Sequence, residues 1–251
     1  MSIVLKSQRE IELMREAGRI SATALKIAGE AIQPGITTAE IDKLAYDYIM
    51  SQNAKPNFLH YNGFPATACI SINAEVIHGI PDKAHVIHEG DIVSIDLGAV
   101  YQGFHGDNAA TFACGKISPE AQRLCDTTRE SLYVGLKQAV AGNRLGDIGY
   151  AICQYCTQRG YGVVRDYTGH GVGAHLHEDP PVPNYGTPKR GVRLFPGMTL
   201  AIEPMINEGT DAVNVLQNGW TVVTADGKLS AHFEHTVAIT KGECDILTLP
   251  R

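Results

Sequence analysis

Ile92-Val93-Ser94-Ile95-Asp96-Leu97-Gly98-Ala99-Val100-Tyr101-Gln102-Gly103-Phe104-His105-Gly106-Asp107 is the stretch whose reading decides the fold. Strand-forming apolar residues surround one carboxylate. A turn region between Gly98 and Gly103 then leads back to a second carboxylate. A hairpin centred near Tyr101-Gln102 would set Asp96 and Asp107 opposite each other on one face. Like charges in that position repel, so the pairing needs a bound cation or a proton to hold it.

Two further acids repeat the pattern. Glu203 lies in Leu200-Ala201-Ile202-Glu203-Pro204-Met205, and Glu234 in Phe233-Glu234-His235-Thr236-Val237. By strand alternation Glu234 shares its face with His232 and Thr236. An ionised carboxylate removed from water costs several kcal/mol unless it is paired or binds a cation. Lys and Arg are sparse in these segments. For any single acid, a salt bridge or a solvated strand end would suffice. Four such acids, with His170 between Gly169 and Gly171, point instead to a metal centre.

Working outward, the chain has 251 residues, 44% hydrophobic and 19% charged, with a net charge of -6. That is long enough for a sizeable core in one domain or two small ones. The charge offers no basic stripe for DNA or an anionic membrane. No apolar run approaches the roughly 18 residues of a membrane span. The opening residues enter a charged helical pattern with no secretory signal. A cytoplasmic enzyme is expected, and a monomer, since no long exposed apolar edge is evident. Six scattered cysteines do not make a disulfide scaffold. Cys153 and Cys156 form a CxxC that reads as two small hydrophobes on a helix rather than a redox or zinc pair.

Capping patterns mark the helices. Ser7 with Glu10 and Thr37 with Glu40 open two of them, and Pro34-Gly35 is read as the break between. Ser118-Pro119-Glu120 opens a third, over about 119–140, with a fourth over about 146–159. Asn218-Gly219 and Asp226-Gly227 are hairpin signals around Trp220. Helix–helix–strands thus occurs twice. At an offset of 107, Leu25, Gly35, Ile41, Gly90 and Ile95 fall on Leu132, Gly142, Ile148, Gly197 and Ile202, and Asp96 falls on Glu203. The expectation is a pseudo-symmetric α/β domain with strands inside, helices outside and the site where the halves meet.

The segments VIHGIP, SIDLGAVYQGFHGD, GHGVGAHLHEDP, AIEPM and HFEHT resemble those of type I methionine aminopeptidases, from about residue 5 to 249. The resemblance implies the pita-bread fold, an α/β (α+β) fold with a central antiparallel sheet, helices outside and a pseudo-twofold. Residues 1–251 would form one catalytic domain with halves of about 5–115 and 116–249. The implied metal ligands are Asp96, Asp107, His170, Glu203 and Glu234, holding two divalent ions (Co, Mn, Fe or Zn). Asp107 and Glu234 would bridge them, Asp96 completing one site and His170 with Glu203 the other. Glu203 would shuttle the proton as metal-activated water attacks the first peptide bond. His177 would serve the oxyanion and His78 the amide nitrogen. The methionine pocket would be Tyr61, Phe64, Cys69, Leu176 and Trp220, suited to a thioether. The substrate would be the N-terminus of a nascent polypeptide whose second residue is small. Contact with the ribosome would follow from that substrate, although no basic patch argues for it.

This sequence also departs from its relatives. His232 stands where bacterial ones commonly carry Gln, and Phe58 where they often carry a smaller Cys. His60, His85, His88 and His105 read as surface or loop residues. The GHGVG loop lacks the residues of a phosphate-binding motif. Two other readings are a proline-specific metallopeptidase of the same fold and a catalytically inactive binding protein on this scaffold. The second should have lost ligands, and none is missing.

Overall fold

A computed structural model describes residues 3–250. The first half runs α1 (Gln8–Glu30), α2 (Thr38–Ser51), β1 (Lys55–Pro56), β2 (Ala68–Ile72), β3 (Glu75–Ile77), β4 (Ile92–Tyr101) and β5 (Phe104–Ala113). The second opens with α3 (Pro119–Leu136) and α4 (Leu145–Thr157), then β6 (Gly162–Val163), β7 (Gly169–Gly171), β8 (Glu178–Val182) and β9 (Thr199–Ile202). It closes with β10 (Met205–Asn207), β11 (Val213–Val215), β12 (Val222–Thr224), β13 (Ser230–His232), β14 (Glu234–Ala238) and β15 (Asp245–Ile246). No helix among the described residues is long and apolar enough to cross a membrane.

Ser7 and Thr37 both make reciprocal capping boxes with Glu10 and Glu40, and Ser118 caps α3 with Pro119 in its first turn. Helix α1 stops at Glu30, before Pro34 is reached. Its buried face, including Met14, Gly18, Leu25 and Ala28, lies on the sheet. Gly18 meets Gly106 of β5 there, and a β-carbon on Gly106 would strike the Gly18 backbone. That pair lets helix and strand approach closely.

The main sheet is antiparallel, in the order β1-β4-β5-β14-β9-β7-β8, with β2 also pairing β4 and β15 pairing β14. Alternation divides its faces. Val93, Ile95 and Leu97 of β4 join the core beneath α1 and α2, while Leu200, Ile202 and Val237 join the core beneath α3 and α4. The intervening residues of the same strands face away from the helices, and the acids are among them.

The pseudo-twofold is visible bond by bond. Gly35 N–H donates to Ile87 O (2.8 Å) and Gly142 N–H to Leu194 O (3.0 Å), each pair displaced by the same 107 residues. The isolated bridges Thr37–Val86 and Arg144–Arg193 obey the same offset. Gly35 and Gly142 adopt φ of 94° and 99°, and Gly90 and Gly197 φ of 93° and 90°. Such angles suit glycine, which is why these four positions stood out in the sequence.

Beyond β4 and β9 the offset becomes 125. Glu234 pairs with its own mate, Ala109, across the axis. Asp107 N–H donates to Thr236 Oγ1 (3.1 Å), whose hydroxyl donates to Asp107 O (2.8 Å). His232 N–H donates to Thr111 Oγ1 (2.9 Å), whose hydroxyl donates to His232 O (2.9 Å). Asp107 and His232 are therefore mates. The extra residues of the second half carry the β11–β12 hairpin, which pairs through β12 with β3 of the first half. Asn218-Gly219 lies within that hairpin's loop. Asp226-Gly227 does not close a hairpin, because β12 and β13 enter different sheets.

Candidate metal centre

The hairpin register departs from expectation by a small but consequential step. Its turn is Gln102-Gly103, with φ of 47° and 85°, so Tyr101 pairs with Phe104. Two positive φ values give the primed turn whose twist suits paired strands. Asp96 consequently faces Ala109, and Asp107 faces Gly98. The two acids share a face but are diagonal neighbours, about 7–8 Å apart along the sheet instead of about 4.5–5.5 Å. Small residues opposite each leave space between the carboxylates.

His170 is held on β7 between two glycines, and its Nδ1 lies 2.8 Å from Gly171 O. A carbonyl only accepts, so Nδ1 carries the proton and Nε2 presents a lone pair. That nitrogen stands 3.7 Å from Asp107 Oδ2 and 3.6 Å from Glu203 Oε1. Both distances exceed a hydrogen bond, and a lone pair facing carboxylates has no proton to offer. Atoms about 2.0–2.2 Å from one shared ion stand about 3.3–3.8 Å apart, which is this spacing. Asp107, His170 and Glu234 each bring one ligand atom within 4.8 Å of the others.

The carboxylates lack any other answer to their charge. Asp96 Oδ1, Asp107 Oδ1 and Glu234 Oε1 are buried with no hydrogen-bond partner. Among the described residues, the only ion pairs involving these four acids are to His170 and His232. Burial, reinforced by the neighbouring acids, holds the Asp96, Glu203 and Glu234 carboxyls well above their usual range. Burial raises Asp107 to about 7. The same desolvation depresses His170 to about 3 and keeps it neutral. An oxygen-rich set with one imidazole fits a divalent cation such as Mn, Fe, Co or Zn.

These residues line a cavity of about 240 Å³. Its apolar wall is a cluster of Phe58, Phe64, Cys69 and Leu176 with Tyr61 and Trp220 against it. Phe64 and Trp220 meet edge to face at 5.2 Å. The Tyr61 hydroxyl is 2.8 Å from His177 Nδ1. His78 sits at φ 59°, a strained setting of the kind found at functional sites. Its ring meets Tyr167 (5.7 Å) and Trp220 (6.3 Å) edge-on. All twelve residues singled out from the sequence line this cavity, and so does Phe58.

Some neighbours escaped the sequence reading. Tyr167 and Thr168 also line the cavity, and their position just ahead of Gly169-His170 was the available signal. Asn184 Nδ2 donates to Glu203 O (2.9 Å) from a fully buried position that no motif marked. His105 is not a loop residue. It lies in β5 with Nδ1 3.1 Å from Asn57 Oδ1, and burial depresses it to about 4. The cysteines are all free, and Cys156 is buried in an apolar cluster.

Residues 12–241 match the model of metallopeptidase family M24. A methionine aminopeptidase of Clostridium acetobutylicum is 55% identical over 98% of this chain and 99% of that protein. The crystal structure of a methionine aminopeptidase from Thermotoga maritima is 47% identical and superposes with a TM-score of 0.97, covering 98% of this chain and 99% of that one. A prolidase from Pyrococcus furiosus shares the fold at 24% identity and a TM-score of 0.80, this chain covering 66% of its length.

Proposed function

The chain belongs to metallopeptidase family M24 and, within it, to the methionine aminopeptidases, and from that premise we propose that it releases the initiator methionine from nascent polypeptides whose second residue is small. The observation that carries the reading is His170, whose lone pair faces two carboxylates at ion-sharing distance beside an apolar pocket. Asp96 would hold one divalent ion, His170 and Glu203 a second, with Asp107 and Glu234 shared between them. Bound there, the ions would polarise the scissile carbonyl and acidify the attacking water.

The chain's own groups do the rest. Glu203, whose carboxyl burial and the neighbouring acids hold above its usual range, would take the proton from water and pass it to the leaving amine. Burial lowers the His177 pKa, and with the Tyr61 hydroxyl donating to Nδ1 its Nε2–H would donate to the developing oxyanion. His78, wedged between the edges of Tyr167 and Trp220, positions the substrate amide. Phe58, Phe64, Cys69, Leu176 and Trp220 exclude water and accept an unbranched thioether. Work on nascent chains implies a cytoplasmic setting near ribosomes.

The test is hydrolysis of Met-Ala-Ser against Leu-Ala-Ser by chelator-treated protein titrated with Mn, Fe, Co or Zn. Release of Met alone, and only with metal, is expected. Cleavage of Xaa-Pro dipeptides with no release from Met-Ala-Ser would replace this reading with the proline-specific one.

A further inference from the structure

His232 is 1% exposed, and its Nε2 is buried with no hydrogen-bond partner among the described residues. The closest charged atom to that nitrogen is Glu203 Oε2, at 3.7 Å. The other oxygen of the same carboxylate faces His170 at 3.6 Å. Glu203 therefore lies between two imidazoles. His170 lines the cavity and His232 does not, so His232 reaches Glu203 from behind.

We propose that His232 is a positioning residue for Glu203, its Nε2–H holding Oε2 so that Oε1 faces the metal centre. The inference rests on Glu203 being a metal ligand, as read above. A carboxylate offers only acceptors, so a stable contact requires the ring to present its proton, not its lone pair. Closing from 3.7 Å to hydrogen-bond length takes less than about 1 Å of movement. The aim of the ring comes from the fold. His232 is the mate of Asp107, and Thr111 clamps its backbone as Thr236 clamps that of Asp107. The two halves thus direct equivalent positions at one centre. A carboxylate at 232 would place a further like charge beside Glu203, whereas a neutral ring adds a donor and no charge. Outer donors of this kind fix a ligand's orientation, and losing one weakens metal binding about 10–100-fold.

The experiment is calorimetric titration of chelator-stripped wild type, His232→Leu and His232→Gln with Mn alone, beside thermal unfolding of each apoprotein. The leucine variant should keep a cooperative transition and bind one Mn equivalent about 10–100-fold more weakly. Gln, which retains an N–H donor, should stay within about threefold of wild type. If Leu does not fold, His232→Asn, too short to reach Oε2, should show the same weakening. A leucine or asparagine variant that binds Mn like wild type overturns the proposal. So does a folded Gln variant as weak as Leu, which would make the ring nitrogen a direct ligand. Wild type that takes up no Mn would instead overturn the metal centre itself, and this role with it.

Discussion

The Tyr61 hydroxyl lies 2.8 Å from His177 Nδ1, and when the hydroxyl donates there the ring's Nε2–H is the one left for the cavity. Tyr61→Phe keeps the pocket wall and removes only the hydroxyl. A neutral hydrogen bond contributes about 0.5–1.5 kcal/mol, so kcat should fall about 2–12-fold. KM for a Met peptide should change less. Steady-state kinetics on Met-Ala-Ser checks this, and a change confined to KM would remove His177 from the transition state.

The buried acids give the apoprotein an inverted response to pH. Their folded pKa values are raised, Asp107 to about 7, while unfolded carboxylates titrate near about 4. Buried histidines depressed to about 3–4 oppose this below their unfolded value of about 6.5, so the acids decide the sign only above it, where the folded state still binds more protons and stability declines as pH rises. Divalent metal should reverse the trend, because its uptake displaces those protons. Urea unfolding of chelator-treated protein at about pH 7, 7.5 and 8, with and without Mn, reads both signs. Apoprotein stability that rises with pH over that range would show the acids are not held protonated.

Glu234→Gln changes one oxygen to a donor in a fully desolvated position shared, by this reading, between two ions. Metal stoichiometry should fall by about half, and activity by more than the roughly 100-fold that losing an outer-sphere partner costs. Metal analysis of the dialysed variant, alongside kcat/KM, provides the check. Near-wild-type turnover would exclude the shared-ligand scheme.

Lys6 Nζ and Glu178 Oε2 form an ion pair at 2.5 Å, the lysine buried and the glutamate half-buried. Glu178 also accepts from His175 N–H (3.0 Å), so the pair ties the N-terminal segment to the loop carrying His177. Lys6→Met leaves the half-buried carboxylate without its cation and should destabilise by about 1–3 kcal/mol. Lys6→Met with Glu178→Leu should recover much of that, since apolar replacement of a whole buried pair is often neutral. Denaturant midpoints of the three variants decide it. Equal losses in the single and double variants would mean the charge is not the issue.

The repeated element order and the four buried acids were legible, because buried charge in a strand leaves a conspicuous pattern and positive-φ glycines mark equivalent turns. The hairpin register was not. Alternation alone states which face Asp96 and Asp107 share. It does not say whether the turn falls at Tyr101-Gln102 or one residue later, and Gln is an unobvious residue for φ 47°. The mating of Asp107 with His232 was hidden for another reason. The second half inserts a hairpin between β9 and β14, so a single offset of 107 cannot align both ends of the repeat. Asn184 gave no sign because its role is to hold a backbone carbonyl, which any sequence context can supply.

That inserted hairpin also separates two kinds of inheritance. Trp220 reaches the pocket on a loop that occurs in one half only and is fastened to β3, while the carboxylates belong to strands that both halves repeat. Exchanging residues 216–221 would remould the pocket wall and, through Trp220 and Thr221, the setting of His78, while leaving the carboxylates on their strands. Substrate preference on this scaffold can thus drift at a peripheral loop while hydrolysis stays anchored in the duplicated core.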